Sequence, residues 1–319
     1  MSMVRGQYAQ LLASGVHHNF LQFLDLQQRD EVYSKIFHVE SSSQAFEDEV
    51  EYAGTGPMPE KPEGSAIIYD DLVQGGTKRY LHLSYGLGSR ATWELIEDDQ
   101  YGVIKQAPKA HARAAQFARE QVSANIFNLG FSSITTTDGV SLFNTEHPLL
   151  GGAQATNIAP GLTVGTNIFA TGTYPNRPSP DTDLSFTALQ NMIDTFERLP
   201  DGQGIPVRIK PRTVLIPPEL KFVAREILGS PGRPYVADNE LNSLIAEELN
   251  FMTWVFLTST SAWFVLGDKD SHQVKFFDRH PIDTDYDDDF DTRSTKMVSF
   301  QRFSAGATSW YGTYGSNGP

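Results

Sequence analysis

The chain has 319 residues, 39% hydrophobic and 20% charged, enough to bury one elaborate core or two smaller ones. It carries a formal charge of −14, no cysteine and no Lys/Arg cluster longer than Lys78-Arg79. That balance argues against sequence-independent DNA binding as its main task, and excludes disulfides, thiolate metal sites and cysteine nucleophiles. There is no run of about 18 apolar residues, so no transmembrane helix is expected, and the N-terminus lacks the basic-then-apolar pattern of a secretory signal.

Residues 1–45 read as a partly helical arm, apolar in patches at Leu11, Leu12, Phe20, Leu21, Phe23, Leu24 and Leu26, with an exit at Ser41-Ser42-Ser43. Residues 46–53 look extended, Val50 and Tyr52 alternating with acids, and a Pro/Gly segment follows. Two β-rich runs, 65–73 and 77–88, flank Gln74-Gly75-Gly76, which predicts a hairpin turn there. Leu81, Leu83 and Tyr85 alternate with Tyr80, His82 and Ser84. A two-stranded ribbon is marginal in water alone, so this one has to lie on another surface.

The clearest helix runs over residues 108–129, with Ala115, Ala118, Val122, Ile126 and Leu129 at the 3–4 spacing of a buried stripe. Ala110, Ala114 and Phe117 widen that stripe, while Lys109, Arg113, Gln116, Glu120 and Ser123 are expected to face away. Pro108 suits a first helical turn and Gly130 the position just past the end. Next come turn material, a short strand at 140–143, and a charge-poor excursion over 151–183.

Residues 184–282 read as a compact α/β unit. Ser185 is a good N-cap, and Leu189, Met192, Ile193 and Phe196 form one helical face. A strand at 212–216 leads through Pro217-Pro218 into a helix over 219–228, and β-rich runs follow at 253–259, 261–268 and 273–279. The chain closes with an acidic loop, a strand near 297–303 and an aromatic strand.

No constellation of nucleophile, acid and base emerges. The histidines form no metal-ligand spacing, and neither a serine elbow nor a phosphate loop is present. A Glu146–His147 dyad is disfavoured, because adjacent residues rarely converge on one substrate. Asp285, Asp287, Asp288, Asp289 and Asp291 put five carboxylates within seven residues. Counted from Asp283, the sixth position is Asp288 where a calcium loop needs Gly, and the twelfth is Ser294 where it needs an acid. A solvated loop is the default reading, followed by an ionic contact with a neighbouring subunit, then a metal site. No catalytic, cofactor or metal residues are expected.

Three stretches carry a likeness to a known family: DGVSLFNTEHPLLGG (138–152), PRTVLIPPELKFVAREILGS (211–230), and FFDRHPIDTDYDDDFDTRSTKMVSFQRFSAGATSWYGTYGS (276–316). In their order along the chain they resemble the major capsid proteins of tailed bacteriophages with the Hong Kong 97-type fold, most of all the Mu-like major head subunit group. The resemblance implies an α+β subunit with an N-terminal arm (1–45) and an extended E-loop (46–90). It further implies a P-domain (91–150 and 286–306, spine helix 108–129) and an A-domain with a central sheet flanked by helices (151–285 and 307–319).

It also implies hexamers and pentamers tiling an icosahedral shell around double-stranded DNA, assembled in the bacterial cytoplasm, with no cofactor and no membrane partner. A portal protein is implied, a cement protein is an optional partner, and, because the arm starts almost at Met1, a separate scaffolding protein is expected. Ile67, Ile68, Tyr69, Tyr80, Leu81, Leu83 and Tyr85 are the expected E-loop contacts between subunits. Asp287, Asp288, Asp289, Lys78 and Arg79 are the ionic candidates. Lys61 and Lys78 lie in the E-loop, but nothing identifies an acceptor Asn, so no covalent crosslink is expected. The other readings are a tail or baseplate protein, or a metal-dependent hydrolase using Asp285–Asp291.

Overall fold

The computed structural model describes residues 20–26, 31–54, 58, 60–67, 69, 71–92, 94, 95, 98, 106–148, 173–199, 207–232, 241–289 and 291–318. Leu11, Leu12, Ile68, the adjacent pair His17-His18 and most of the expected 151–183 excursion lie outside those residues. In chain order the first elements are helix α1 (20–26), helix α2 (Tyr33–Ile36), β1 (His38–Ser41), β2 (Phe46–Ala53), β3 (Val73–Leu81) and β4 (Leu83–Thr92). The spine helix α3 (Ala107–Asn128) follows, then β5 (His147–Pro148), β6 (Thr173–Tyr174), helix α4 (Phe186–Glu197), β7 (Pro211–Ile216) and helix α5 (Lys221–Gly229). The last are β8 (Asn250–Thr253), β9 (Trp263–Gly267), β10 (Val274–Asp289), β11 (Ser294–Ala307) and β12 (Thr313–Ser316). The chain divides into two compact units. One comprises 1–47, 80–123 and 276–305, the other 48–79, 124–275 and 306–319.

The first unit is a four-stranded sheet, order β1-β10-β11-β4, with α3 up to Ser123 along one face. Here the expected helix face is right at buried Ala115 and Ile126 and at exposed Lys109 and Arg113, and wrong at several other positions. His111, Gln116, Arg119, Glu120 and Ser123 are buried, whereas Phe117 is half exposed. His111 and Arg119 turn inward because the sheet meets them with polar residues of its own, whereas Gln116 and Glu120 meet Glu31 and the Val32 N–H ahead of α2. Met297, Ser299, Gln301 and Phe303 alternate on the buried side of β11.

His111 Nδ1 lies 2.8 Å from Ser299 Oγ, and Arg119 Nε donates to Gln301 Oε1 at 2.8 Å. Gln301 in turn donates to the Ala115 carbonyl at 2.9 Å. Arg119 also reaches Asp278 with both terminal nitrogens, at 2.9 and 3.2 Å, while its guanidinium lies 5.6 Å from the Phe276 and Phe303 ring centres. Glu120 accepts the Val32 N–H at 2.7 Å, which ties the start of α2 to the spine. Beside Ala112, the arm residues Phe20 and Leu24 close a small apolar cluster with Met297.

The second unit holds a four-stranded sheet, order β12-β9-β7-β8. β7 and β8 run parallel, joined through α5, and β9 is antiparallel to β7 and β12. Its core is aromatic: Phe127 packs against Phe264 at 5.4 Å, Trp254 at 6.0 Å and Phe143 at 6.3 Å. Gly130 lies just past the spine without the left-handed φ of a glycine cap, and close packing accounts for it: a Cβ there would stand 2.8 Å from the Phe143 ring. Ser185 caps α4 by accepting the Ala188 N–H. The first expected β-run shifts back to Asn250–Thr253, because Trp254 turns the chain and is buried.

His82 and His111 are both buried in the first unit, and burial holds each imidazole below its ordinary value near 6.5. Arg302 and Arg279 push His82 further down, against a smaller opposite pull from Glu47. A histidine depressed on folding contributes stability above its unfolded pKa and loses it as pH falls through the folded value. Acidification from pH 7 towards 5.5 is therefore expected to lower the unfolding free energy read by urea titration, by at most about 1.4 kcal/mol per pH unit per histidine. His111→Gln is expected to show the shallower pH dependence.

Candidate inter-subunit surfaces and the ribbon root

The expected turn at Gln74-Gly75-Gly76 does not form. Both glycines lie inside β3, whose partner is β2, not the run after residue 77. From Leu83 onward the chain enters β4, which pairs antiparallel with β11 in the register Leu83↔Phe303 to Thr92↔Ser294. The ribbon is thus β2 with β3. Gly76 is required by a close approach: a Cβ there would stand 2.1 Å from the Thr137 carbonyl oxygen.

That contact is one of several that fix the ribbon at its root within the second unit. Buried Glu51 accepts hydrogen bonds from the hydroxyls of Thr137 and Ser309, the latter at 2.7 Å. Lys78 donates to the Thr135 carbonyl at 2.5 Å, and its partial burial lowers the ammonium pKa. Arg79 grips Asp48 across the ribbon with two 2.7 Å bonds, and those bonds hold the carboxyl below its usual range. Lys275 reaches Glu49 at 2.9 Å. The ionic candidates Lys78 and Arg79 are thus both engaged inside their own chain.

The expected contact residues separate into two groups. Tyr80 is buried edge-on to Phe277 at 4.9 Å, and Tyr85 stacks on Phe303 at 4.6 Å, so these two rings serve the first unit. Ile67 (64% exposed), Tyr69 (91%), Leu81 (61%) and Leu83 (53%) present apolar surface to solvent. Tyr52, read from the sequence only as part of an extended run, and Met58 and Leu72, which it did not single out, are exposed as well, as is Leu87 on β4. β4 is also an edge strand of its sheet.

The aspartate run is not a loop. Asp285, Asp287, Asp288 and Asp289 lie in β10, and the hairpin turns over 291–293 with Arg293 at φ 46°. Asp289 pairs with Lys296 at 3.0 Å, a bond that draws its carboxyl down to about 2, and Asp288 accepts the Thr295 hydroxyl at 2.7 Å. Asp285 and Asp287 are exposed without a hydrogen-bond partner among the described residues. No three His, Asp or Glu side chains are grouped to hold a metal ion among the described residues. His147 pairs with Asp138 at 2.7 Å instead of its neighbour Glu146; both groups are buried, and nothing in their spacing signals the contact.

Residues 77–316 match the phage capsid protein family. The chain belongs to that family. Solved capsid proteins have the same fold at low identity. The capsid protein of cyanophage P-SCSP1u shares 10% identity over 89% of this chain and 86% of its own, with a TM-score of 0.55. A solved structure from Microbacterium phage Oxtober96 shares 10% over 91% of each chain, at 0.54. The capsid of bacteriophage JBD30, decorated with minor capsid protein trimers, shares 17% over 72% of this chain and 91% of its own, at 0.51. No curated protein matches the sequence. The α+β architecture is the Hong Kong 97-type fold, and the protein is a structural component of a phage head, not an enzyme.

Because Gly76 sits on a carbonyl that nothing can move aside, Gly76→Val is expected to lift the ribbon root from residues 135–137 at a cost of about 2 kcal/mol. Hydrogen exchange should then rise in 46–53 and 73–79 while β7 and β9 remain protected.

Proposed function

We propose that this capsid protein assembles as hexamers and pentamers into an icosahedral shell that encloses double-stranded DNA inside the bacterial host. The observation that carries the reading is the ribbon. Its root is pinned by Glu51, Lys78 and Gly76, yet Tyr52 and Leu81 on its strands, and Ile67 and Tyr69 in the segment that joins them, lie open to water. Apolar side chains on a two-stranded ribbon are costly in a free monomer and useful in a closed shell, where identical neighbours cover them.

In that assembly 1–45 acts as the arm and 46–90 as the E-loop limb, its last part pinned along β11. Residues 91–150 with 286–306 act as the P-domain, and 151–285 with 307–319 as the A-domain. Exposed Asp287 is the carboxylate best placed for a neighbour's cation, since Asp288 and Asp289 already have partners within the hairpin. The charge of −14 suits a wall along which packed DNA slides without sticking. A scaffolding protein directs closure, a portal occupies one vertex, and minor-protein trimers of the kind seen on the JBD30 capsid are the model for any decoration.

Replacing both Leu81 and Leu83 by Asp is expected to leave the α/β unit folded and to abolish closed particles. Negative-stain microscopy of the expressed protein with its scaffold reads the outcome. Normal shells from the double variant would remove Leu81 at the end of the ribbon and Leu83 at the start of β4 from the assembly contacts, and rings or tubes from the native chain would favour a tail or baseplate role.

A further inference from the structure

In the second unit a fully buried histidine is enclosed by acceptors. His147 Nδ1 lies 2.7 Å from Asp138 Oδ2, and Nε2 lies 3.1 Å from Asn176 Oδ1. The Asn176 amide cannot be turned round. Its nitrogen donates to the Leu142 carbonyl at 2.7 Å, and its oxygen accepts the Asn144 N–H at 2.8 Å. Reversal would set donor against donor and acceptor against acceptor. Nε2 must therefore carry a proton.

Asp138 is equally constrained. Its Oδ1 accepts the Val140 N–H at 3.0 Å and the Thr136 hydroxyl. Burial works against its charge, but the donors His147, Thr136 and Val140 outweigh it and hold the carboxyl below its ordinary value. As a carboxylate it can only accept, so Nδ1 must carry a proton too.

We propose that His147 is held as a doubly protonated imidazolium, and that its pairing with Asp138 sets the turn to which both ribbon strands are anchored. Trp310 stacks on the ring at 4.6 Å and 15°, an arrangement that favours a cation, and Tyr174 and Tyr311 flank the indole at 5.7 and 4.3 Å. Glu146, the remaining charged neighbour in sequence, is exposed.

The link to the ribbon is short. Thr136, whose hydroxyl binds Asp138, is closed onto Val140 by a 2.9 Å backbone bond, and Thr135 bridges Ser141. Thr135 and Thr137, on either side of it, are the residues that hold Lys78 on β3 and Glu51 on β2. A buried pair that loses one charge leaves the other uncompensated, and the turn is the element free to give way. The inference goes beyond shell assembly and does not depend on it.

The test is nitrogen NMR of the histidine-labelled full chain in neutral buffer, with His147 assigned by its contacts to Trp310. Two proton-bearing ring nitrogens are expected. Asp138→Asn should remove one of those protons and raise hydrogen exchange in 46–53 and 73–79 by about tenfold. A single unprotonated, pyridine-like nitrogen in the native chain would overturn the proposal, even if the variant failed to fold. So would ribbon exchange that stays unchanged when Asp138→Asn removes the proton.

Discussion

The first unit depends on one buried guanidinium. Arg119 lies 5.6 Å from each of the mutually stacked rings of Phe276 and Phe303, bonds both oxygens of Asp278, and reaches Gln301. A spine helix that packed only apolar residues could slide along its sheet, since dispersion contacts vary little with register. A forked donor meeting a carboxylate on β10 and an amide on β11 has one satisfied position. Asp278 is also where β1 joins, through its carbonyl and the Ser42 N–H at 3.0 Å. Helix, central strands and the arm's own strand β1 are thereby brought to one residue pair.

The second unit works by a different division. An aromatic core around Phe127, Phe143 and Phe264 holds the parallel–antiparallel sheet. A compact polar turn at residues 135–138 receives the ribbon by hydrogen bonds, not by apolar burial. This leaves Tyr52 and Leu81 of the ribbon open to solvent, while Tyr80 beside Leu81 packs on Phe277.

Much of this could be read from the sequence, and the misreadings have physical causes. The ends of the spine were legible because Pro108 and Gly130 mark them, and Ser185 announced its helix by its capping chemistry. The buried face of the spine was not. Periodicity counts apolar side chains, whereas here Arg119, Glu120, Gln116 and His111 turn inward to partners more than eighty positions away. Gly75-Gly76 imitates a turn because the same residue type serves tight turns and close backbone approach, and only the Thr137 carbonyl distinguishes the two. The aspartate run looked like a loop because a strand with charges on successive residues has no alternation to detect. Leu81 and Leu83 were picked out by alternation and do lie exposed, whereas Tyr80 and Tyr85, picked out by the same pattern, found rings within the chain.

A double-mutant cycle on Arg119→Met and Asp278→Leu, read by urea unfolding of the full chain, bears most directly on the spine as a polar-faced element fixed by one ion pair. Each single change strands a buried or half-buried charge, while the double change removes both. The expected result is a double variant more stable than the sum of the two losses predicts, by a coupling of at least about 1 kcal/mol. Strictly additive losses would mean that Arg119 and Asp278 are stabilised independently, and the central role given to their contact would be wrong.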